Sequence, residues 1–348
     1  MRAAHRARLY GLQELSAVSR QLCGSVSSGV RECSAFDALH ARAEATLAYE
    51  EVVARSPSQG QEDQLNHGII VHGLLGTGRN WRTFARLLAK QAAAEAGRGW
   101  RIALVDQRNH GRSAENGDFH PPHTMQAAAK DLVDLVQHNF GGQQLNMIVG
   151  HSLGGKTTLE FLTQVSQSGS KLSPPQQAWV LDANIGKVTL NKDAPSDVDK
   201  IIKEIKDIPL PIASRDWLYK YMEDRGYSIG LRLWMGSNLI PDGHGKLKWG
   251  FNIQGADDMY ESYRERECWD VVKAPPQGTV LNIVRAANSD RWTKQTMSQL
   301  EQAQQSAGKS HPGQLHVHVL PNAGHWLHVD NPRGLMEMML PSLVNLEK

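Results

Sequence analysis

The sequence predicts an α/β fold, with a mainly parallel sheet, helices on both of its faces and a helical cap inserted into the chain. Short runs of β-branched or aliphatic residues alternate with amphipathic helical patterns. Several of these runs, such as IIVHG, NMIVG and WVLD, are continuously apolar, which is typical of strands buried on both faces. The alternation stops between residues 184 and 268, where a charged stretch and then an aromatic one predict the cap.

Seven segments are predicted strands, and four helices are predicted between or after them. The strands cover residues 45–53, 68–72, 101–106, 145–149, 178–182, 279–285 and 314–320. One helix spans residues 81–96, and a second follows Thr124, which is a suitable N-cap. A third begins at Ser152, and the last follows Pro332, a residue tolerated in a first helical turn.

Composition places the chain among ordinary globular proteins. Of its 348 residues, 40% are hydrophobic and 21% are charged, and the formal charge is +2. This near-neutral charge, without a basic stripe, argues against a nucleic-acid partner. No apolar run approaches the ~18 residues of a membrane-spanning helix. The three cysteines lack a CxxC spacing and indicate neither a disulfide framework nor a zinc site.

The length allows either one large α/β domain with an insertion or two modest domains. We expect the catalytic core to comprise residues 45–183 and 271–348, and the cap to comprise residues 184–270. Residues 1–40 are expected to be a transit peptide, since the first 31 contain five arginines and one acidic residue, Glu14. That composition is typical of an organellar transit peptide, and we expect the organelle to be the mitochondrion. A chloroplast address, or a cytoplasmic protein with a plain N-terminal tail, is the alternative.

The segment Gly150-His151-Ser152-Leu153-Gly154 has the G-x-S-x-G pattern of a nucleophile elbow. It follows a predicted buried strand and precedes a helical pattern, which is the context that such an elbow requires. The turn would present the Ser152 hydroxyl at the edge of the sheet, and the backbone N–H of Leu153 would be one oxyanion donor.

The same residues also match a phosphate-binding loop. Residues 150–157, GHSLGGKT, agree with G-x-x-x-x-G-K-[ST] at every fixed position. Asp182, at the end of a later strand, could imitate a magnesium-positioning aspartate. A nucleotide hydrolase is therefore a rival interpretation.

Three other segments favour the nucleophile elbow. The first, HGLLG at residues 72–76, follows a strand where a hydrolase fold supplies its second oxyanion amide, and we assign that donor to Leu74. The second, DQRNHGRS at residues 106–113, ends the next strand with hydrogen-bonding groups. The third, NAGHW at residues 322–326, follows the last strand and offers His325 as the general base for Ser152.

These motifs together resemble the α/β-hydrolase subgroup that contains bacterial YbfF-type esterases and eukaryotic ABHD11-type mitochondrial hydrolases. The matching segments are HGLLGTGRNW, DQRNHGRS, GHSLGGKT and PNAGHWLH, and the resemblance spans about residues 68–340. It implies carboxylesterase or thioesterase activity on a small-molecule ester or thioester, including acyl-CoA-like or lipid esters, with neither metal nor cofactor.

The acid of the triad is the least determined member. Ser289 occupies the position where most α/β-hydrolases place the acid, as the resemblance to this subgroup implies, and Asp290 follows it. We favour Asp182 over Asp290, with Asp257 and Asp258 as further candidates, and expect Ser289 to form a hydrogen bond within the triad. Besides nucleotide hydrolysis, a non-catalytic binding function is the alternative to a serine hydrolase.

Overall fold

Seven strands form one central sheet. The computed structural model describes residues 46–56, 65–117, 119–189, 197–306 and 313–346. The strands of this sheet are β1 (Tyr49–Ala54), β2 (Asn66–Val71), β3 (Trp100–Val105), β4 (Met147–His151), β5 (Gln177–Leu181), β8 (Val280–Ala286) and β9 (Gln314–Leu320). Across the sheet they lie in the order β1-β3-β2-β4-β5-β8-β9.

Only β1 runs against the others in this sheet: it pairs antiparallel with β3, and every other pairing is parallel. In the register of the central pair, His151 at the end of β4 lies opposite Leu181 at the end of β5. Since the carboxyl ends of parallel strands meet at one edge, the loops after β2, β3, β4, β5, β8 and β9 are brought together there.

Helices cover both faces of the sheet, since both faces of its central strands are apolar. The helices are α1 (Arg82–Ala96), α2 (Gly111–Asn116), α3 (Met125–Asn139), α4 (Leu153–Val165), α5 (Asp197–Asp207), α6 (Arg215–Glu223), α7 (Ile229–Ser237), α8 (Ile253–Glu265), α9 (Trp269–Lys273), α10 (Lys294–Ser306), α11 (Leu327–Asp330) and α12 (Pro332–Val344). One apolar cluster packs α1 and α12 on one face of the sheet, and another packs α3, α4, α9 and α10 on the other face.

The predicted fold class is confirmed, and each predicted strand overlaps a strand of the sheet with its ends displaced by a few residues at most. The predicted N-cap also forms, since the Thr124 hydroxyl accepts a hydrogen bond from the Ala127 amide at 3.2 Å. Hydrophobic period and capping residues are local signals, which is why they place these elements well.

The segment between β5 and β8 contains helices α5 to α9, as expected for an insertion. It also contains an antiparallel hairpin, β6 (Leu239–Pro241) with β7 (Leu247–Trp249), where the sequence predicted helices only. The division into core and cap domains remains a prediction. The predicted transit peptide, residues 1–40, lies outside the described residues. Across the described ranges, no helix is both long and apolar enough to span a bilayer.

Candidate active site

Strained backbone is concentrated at the carboxyl edge of the sheet. Among the described residues, five non-glycine residues have a positive φ, and each lies in the loop that follows a strand of the parallel part of the sheet. Such conformations cost of order 1–3 kcal/mol each and persist where surrounding contacts hold them, often at functional sites. The five are Leu75, Asn109, Ser152, Asp182 and Asn322.

Ser152 lies at a sharp turn between β4 and α4, with φ 53° and ψ −117°. Two glycines allow this turn. A Cβ at Gly150 would lie 2.2 Å from the Gly154 carbonyl oxygen, and one at Gly154 would lie 2.4 Å from the carbonyl oxygens of Val71 and His72. The Ser152 amide donates to the Leu181 carbonyl at 2.9 Å, which continues the β4–β5 pairing into the turn. The nucleophile elbow predicted from the motif is therefore the local geometry.

His325 lies between Ser152 and Asp182. Its Nε2 is 3.1 Å from the Ser152 Oγ, and its Nδ1 is 2.8 Å from the Asp182 Oδ2. A second histidine, His151, fixes the loop after β9 that carries His325. Its Nε2 lies 2.7 Å from the His325 carbonyl oxygen and must donate to it. Ser152, Asp182 and His325, from the loops after β4, β5 and β9, thus form one row of hydrogen bonds.

The Asp182 carboxylate is fully buried, with its side chain 0% exposed. Besides His325, it accepts hydrogen bonds from the Ser289 hydroxyl at 2.7 Å, the Trp292 indole at 2.7 Å and the Ala286 amide at 3.1 Å. Burial alone would raise the pKa of Asp182, but the hydrogen bonds from His325, Trp292 and Ser289 outweigh it and lower that pKa. The carboxylate is therefore ionised at neutral pH.

The other candidate acids lie elsewhere. Asp290 is exposed to solvent in the loop after β8 and has no hydrogen bond to His325. Asp257 pairs with Lys206, and Asp258 accepts from the Gln254 amide at 2.8 Å, both on α8. Of the four carboxylates proposed from the sequence, the structure places Asp182 against the imidazole.

Burial lowers the pKa of the His325 imidazole below its ordinary value of 6.5, and the hydrogen bond to Asp182 opposes this only in part. His325 is thus neutral at pH 7. Because Nδ1 faces a carboxylate, it holds the ring proton, and Nε2 is left as an acceptor toward the Ser152 hydroxyl. That arrangement can remove a proton from Ser152.

The loop after β2 lies against the nucleophile. A Cβ at Gly73 would be 3.2 Å from the Ser152 Cβ and 3.0 Å from the His151 Nδ1. Leu74, the next residue, belongs to this loop, and Leu153 is the first residue of α4, so its N–H has no acceptor within the helix. The proposed oxyanion donors therefore belong to the residue after Ser152 and to the residue after Gly73, which lies beside Ser152.

Lys156 and Thr157 of the phosphate-loop pattern face the protein interior. The Lys156 Nζ donates to three backbone carbonyl oxygens, of Gly186 at 2.8 Å, Tyr263 at 2.5 Å and Arg266 at 2.7 Å. The Thr157 hydroxyl donates to the Gln107 Oε1 at 2.8 Å. A phosphate-binding loop must present its lysine and hydroxyl to a ligand, so this geometry contradicts the nucleotide-binding interpretation.

Two contacts were missed by sequence reasoning. Trp292 donates directly to Asp182, and its only sequence signal is an aromatic residue in the polar loop after β8. His151 was singled out only as part of the G-x-S-x-G pattern, yet it supports the His325 backbone. Within the residues that the structure describes, no group of three or more His, Cys, Asp or Glu side chains is arranged to hold a metal ion.

The strand order, the strained serine turn after the fourth strand and the histidine after the last strand define an α/β-hydrolase fold. The model of the Alpha/beta hydrolase family matches residues 69–338, and the chain belongs to this family.

Individual relatives are distant but cover most of the chain. The sn-1-specific diacylglycerol lipase ABHD11 of Mus musculus is 25% identical, over 77% of this chain and 78% of its own. Esterase YbfF of Escherichia coli is 23% identical, over 80% of this chain and 94% of its own. Among solved structures, a marine microorganism esterase superposes with a TM-score of 0.64 at 22% identity, covering 85% of this chain and 99% of its own.

Proposed function

We propose that this protein is a serine hydrolase that cleaves carboxylic ester or thioester bonds through an acyl-enzyme intermediate. Ser152 is the nucleophile, His325 the general base and acid, and Asp182 the carboxylate that orients the imidazole. The amides of Leu74 and Leu153 stabilise the oxyanion. The observation on which the proposal depends is the row from Ser152 Oγ to His325 Nε2, 3.1 Å, and from His325 Nδ1 to Asp182 Oδ2, 2.8 Å.

The reaction has two steps. His325 takes the Ser152 proton as Ser152 Oγ attacks the acyl carbonyl, and the carbonyl oxygen becomes an oxyanion between the Leu74 and Leu153 amides. When the tetrahedral intermediate collapses, His325 protonates the leaving alcohol or thiol. Water, deprotonated by His325, then attacks the acyl-enzyme, and the carboxylic acid leaves as Ser152 regains its proton.

Ester hydrolysis is supported by the family and by relatives named as an esterase and a diacylglycerol lipase. The site is also suited to an acyl group of low polarity. The side chains of Leu74 and Leu153 belong to one apolar cluster with residues of the inserted segment, among them Leu231, Met235 and Tyr260. A carbonyl bound between the two amides would have these apolar side chains nearby.

The two other classes of function predict different behaviour. A nucleotide hydrolase would need Lys156 at the ligand, but its ammonium is bonded to three carbonyls. A non-catalytic binding protein has no need of an aligned serine, histidine and carboxylate. A serine hydrolase is consistent with the interior position of Lys156 and accounts for the alignment of Ser152, His325 and Asp182.

The first experiment is substitution of the nucleophile. Ser152→Ala should reduce p-nitrophenyl acetate turnover by on the order of 10⁵ to 10⁶, since removing a triad serine leaves only binding and oxyanion stabilisation. It should also abolish labelling by a fluorophosphonate probe. Ser298→Ala, an exposed serine on α10, is the matched control and should label and turn over as the wild type does.

Wild-type protein that neither reacts with the probe nor hydrolyses esters or acyl-CoA thioesters would refute the proposal. Equal labelling of Ser152→Ala and wild type would refute the choice of nucleophile. Parallel assays with p-nitrophenyl acetate and an acyl-CoA separate ester from thioester preference, because the two substrates share the acylation chemistry and differ in the leaving group.

A further inference from the structure

We propose that His72 and His110 are positioning residues that set the orientation of the Leu74 amide, using opposite ring nitrogens for the task. This inference rests on the proposed function, in which the Leu74 N–H binds the oxyanion. Both imidazoles are buried, at 1% and 0% exposure, and their rings meet edge to face with centroids 5.2 Å apart. Neither side chain is a member of the Ser152–His325–Asp182 row.

His72 restrains the peptide unit that contains the proposed donor. Its Nδ1 is 2.7 Å from the Gly73 carbonyl oxygen, which also accepts from the Gly76 N–H at 3.1 Å. That carbonyl belongs to the same peptide group as the Leu74 N–H. The C=O and N–H of a trans peptide point in opposite directions. A hydrogen bond that holds the Gly73 carbonyl on the His72 side therefore directs the Leu74 N–H the other way, and it also polarises that amide.

His110 controls the next residue. Its Nε2 accepts from the Leu75 N–H at 3.0 Å, and its Nδ1 lies 2.9 Å from the Arg108 carbonyl oxygen. Leu75 has φ 52°, a conformation that is costly for a leucine and that needs an external restraint. The hydrogen bond to His110 provides this restraint immediately after Leu74.

The backbone partners determine both tautomers. The Gln107 N–H points at the His72 Nε2 at 3.0 Å, and the Leu75 N–H points at the His110 Nε2, so neither Nε2 can hold a proton. Both rings are thus neutral with the proton on Nδ1. Burial agrees, since it lowers the pKa of His72 to about 4 and, with help from the neighbouring His72, that of His110 to about 3.

Gln107 connects this arrangement to the helix of the nucleophile. Its side-chain amide donates to the His72 carbonyl at 2.7 Å, and its Oε1 accepts from the Thr157 hydroxyl on α4. Gln107 therefore links the start of the loop after β2 to α4, the helix that begins directly after Ser152. The two histidines, at residues 72 and 110, are neutral parts of the scaffold that adjust one amide.

The test exchanges each histidine for asparagine and for glutamine. An asparagine amide nitrogen can replace Nδ1, and a glutamine oxygen can replace Nε2. His72 orients the peptide through Nδ1, so His72→Asn should keep kcat within about fivefold, whereas His72→Gln should lose on the order of 10- to 100-fold. His110 acts through Nε2, so the order reverses: His110→Gln should keep kcat and His110→Asn should lose it.

Substrate binding and folding are followed in the same variants. KM should change little, and the inhibition constant of a trifluoromethyl ketone, which forms a tetrahedral adduct on the serine, should rise by the factor by which kcat/KM falls. Each variant leaves one buried partner of a histidine without its hydrogen bond, so the paired variants should have similar Tm values. A variant that does not fold is omitted, and the other histidine's pair then decides.

The reversed order between the two positions separates positioning from stability. If asparagine and glutamine lower kcat equally at either position, or if kcat follows Tm, the inference is wrong. A wild-type protein without esterase activity would instead refute the proposed function, and the two failures are distinguishable because the first requires an active wild type.

Discussion

Ser152 and Lys156 are four residues apart in one eight-residue motif, and their side chains have opposite surroundings. The Ser152 Oγ faces His325 at the edge of the sheet. The Lys156 ammonium is 0% exposed, donates to three carbonyls and lies 4.5 Å from the centre of the Tyr263 ring. Burial lowers the pKa of Lys156 to about 8, so it remains mainly protonated at neutral pH.

One motif can therefore match both a nucleophile elbow and a phosphate-binding loop, and the backbone turn at Ser152 determines which of its side chains reaches the site. A positive φ at Ser152 places the hydroxyl outside the helix, whereas Lys156 lies one turn into α4, which is buried along most of its length. There the lysine satisfies carbonyls from the segments before α5 and around the end of α8. The serine is thus available for chemistry, and the lysine connects the inserted segment to the core.

Among changes that leave Ser152 itself in place, the largest effect is expected at Asp182, the carboxylate of the Ser152 site. Asp182→Asn should lower kcat by on the order of 10³ to 10⁴, because an amide can donate to the His325 Nδ1 position and favour the wrong tautomer. Asp290→Asn is the matched control, since Asp290 is exposed and has no hydrogen bond to His325. It should alter kcat by less than about threefold. Steady-state kinetics with p-nitrophenyl acetate measure both.

If Asp290→Asn lowered kcat strongly and Asp182→Asn did not, Asp290 would be the acid of the triad. Equal and small losses for both would remove the carboxylate from the mechanism, although His325 would remain as base. Fluorophosphonate labelling should slow in Asp182→Asn as turnover does, because both reactions require the same activated Ser152.

The structural role of Lys156 is tested by measuring the stability of the protein. Lys156→Met should lower the free energy of unfolding by about 2–4 kcal/mol, since three buried carbonyls lose their donor. Lys130→Met on α3 is the control: that lysine is 59% exposed and pairs with Asp134 on the same helix, so the change should be below about 0.5 kcal/mol. Urea unfolding followed by circular dichroism gives both values.

A phosphate-binding lysine would behave in the opposite way. Its replacement would leave the stability of the unliganded protein nearly unchanged, and it would abolish a rise in Tm caused by Mg·ATP. We expect Mg·ATP to leave the Tm of the wild type unaltered. A clear rise in that Tm would restore the nucleotide-binding interpretation.

The sequence was sufficient for the fold and for the positions of Ser152 and His325, because both follow predicted strands and lie within two residues of a glycine that allows a tight turn. It was not sufficient for the interior contacts of Lys156, whose acceptors lie 30 to 110 residues away in the inserted segment. The same reason applies to Trp292, which reaches Asp182 from the loop after β8, 110 positions along the chain. Periodicity reports local structure and which face is buried, but not which distant backbone atom a side chain meets.

The pH dependence of kcat/KM is determined by the protonation state of the His325 imidazole. Its pKa is lowered from 6.5 by burial, and the base must be neutral to act. Lowering the pKa extends the neutral form to more acidic solution, so kcat/KM should fall only as pH drops through a midpoint below 6.5. Asp182, whose pKa is also lowered, stays ionised throughout that range. A profile from pH 4.5 to 8.5 measures the midpoint, and a value above 6.5 would contradict this environment for the ring.

The smallest effect is expected at Ser289, which donates to the same Asp182 oxygen as His325 does. Ser289→Ala removes one hydrogen bond from the carboxylate and leaves those from Trp292 and Ala286. The negative charge then interacts more strongly with the imidazolium, so the acidic midpoint of kcat/KM should rise by about 0.3–0.5 units while kcat at pH 8 falls by less than about tenfold. An unchanged midpoint would show that Ser289 only packs beside the triad, and a midpoint that falls would contradict the expected effect on the carboxylate.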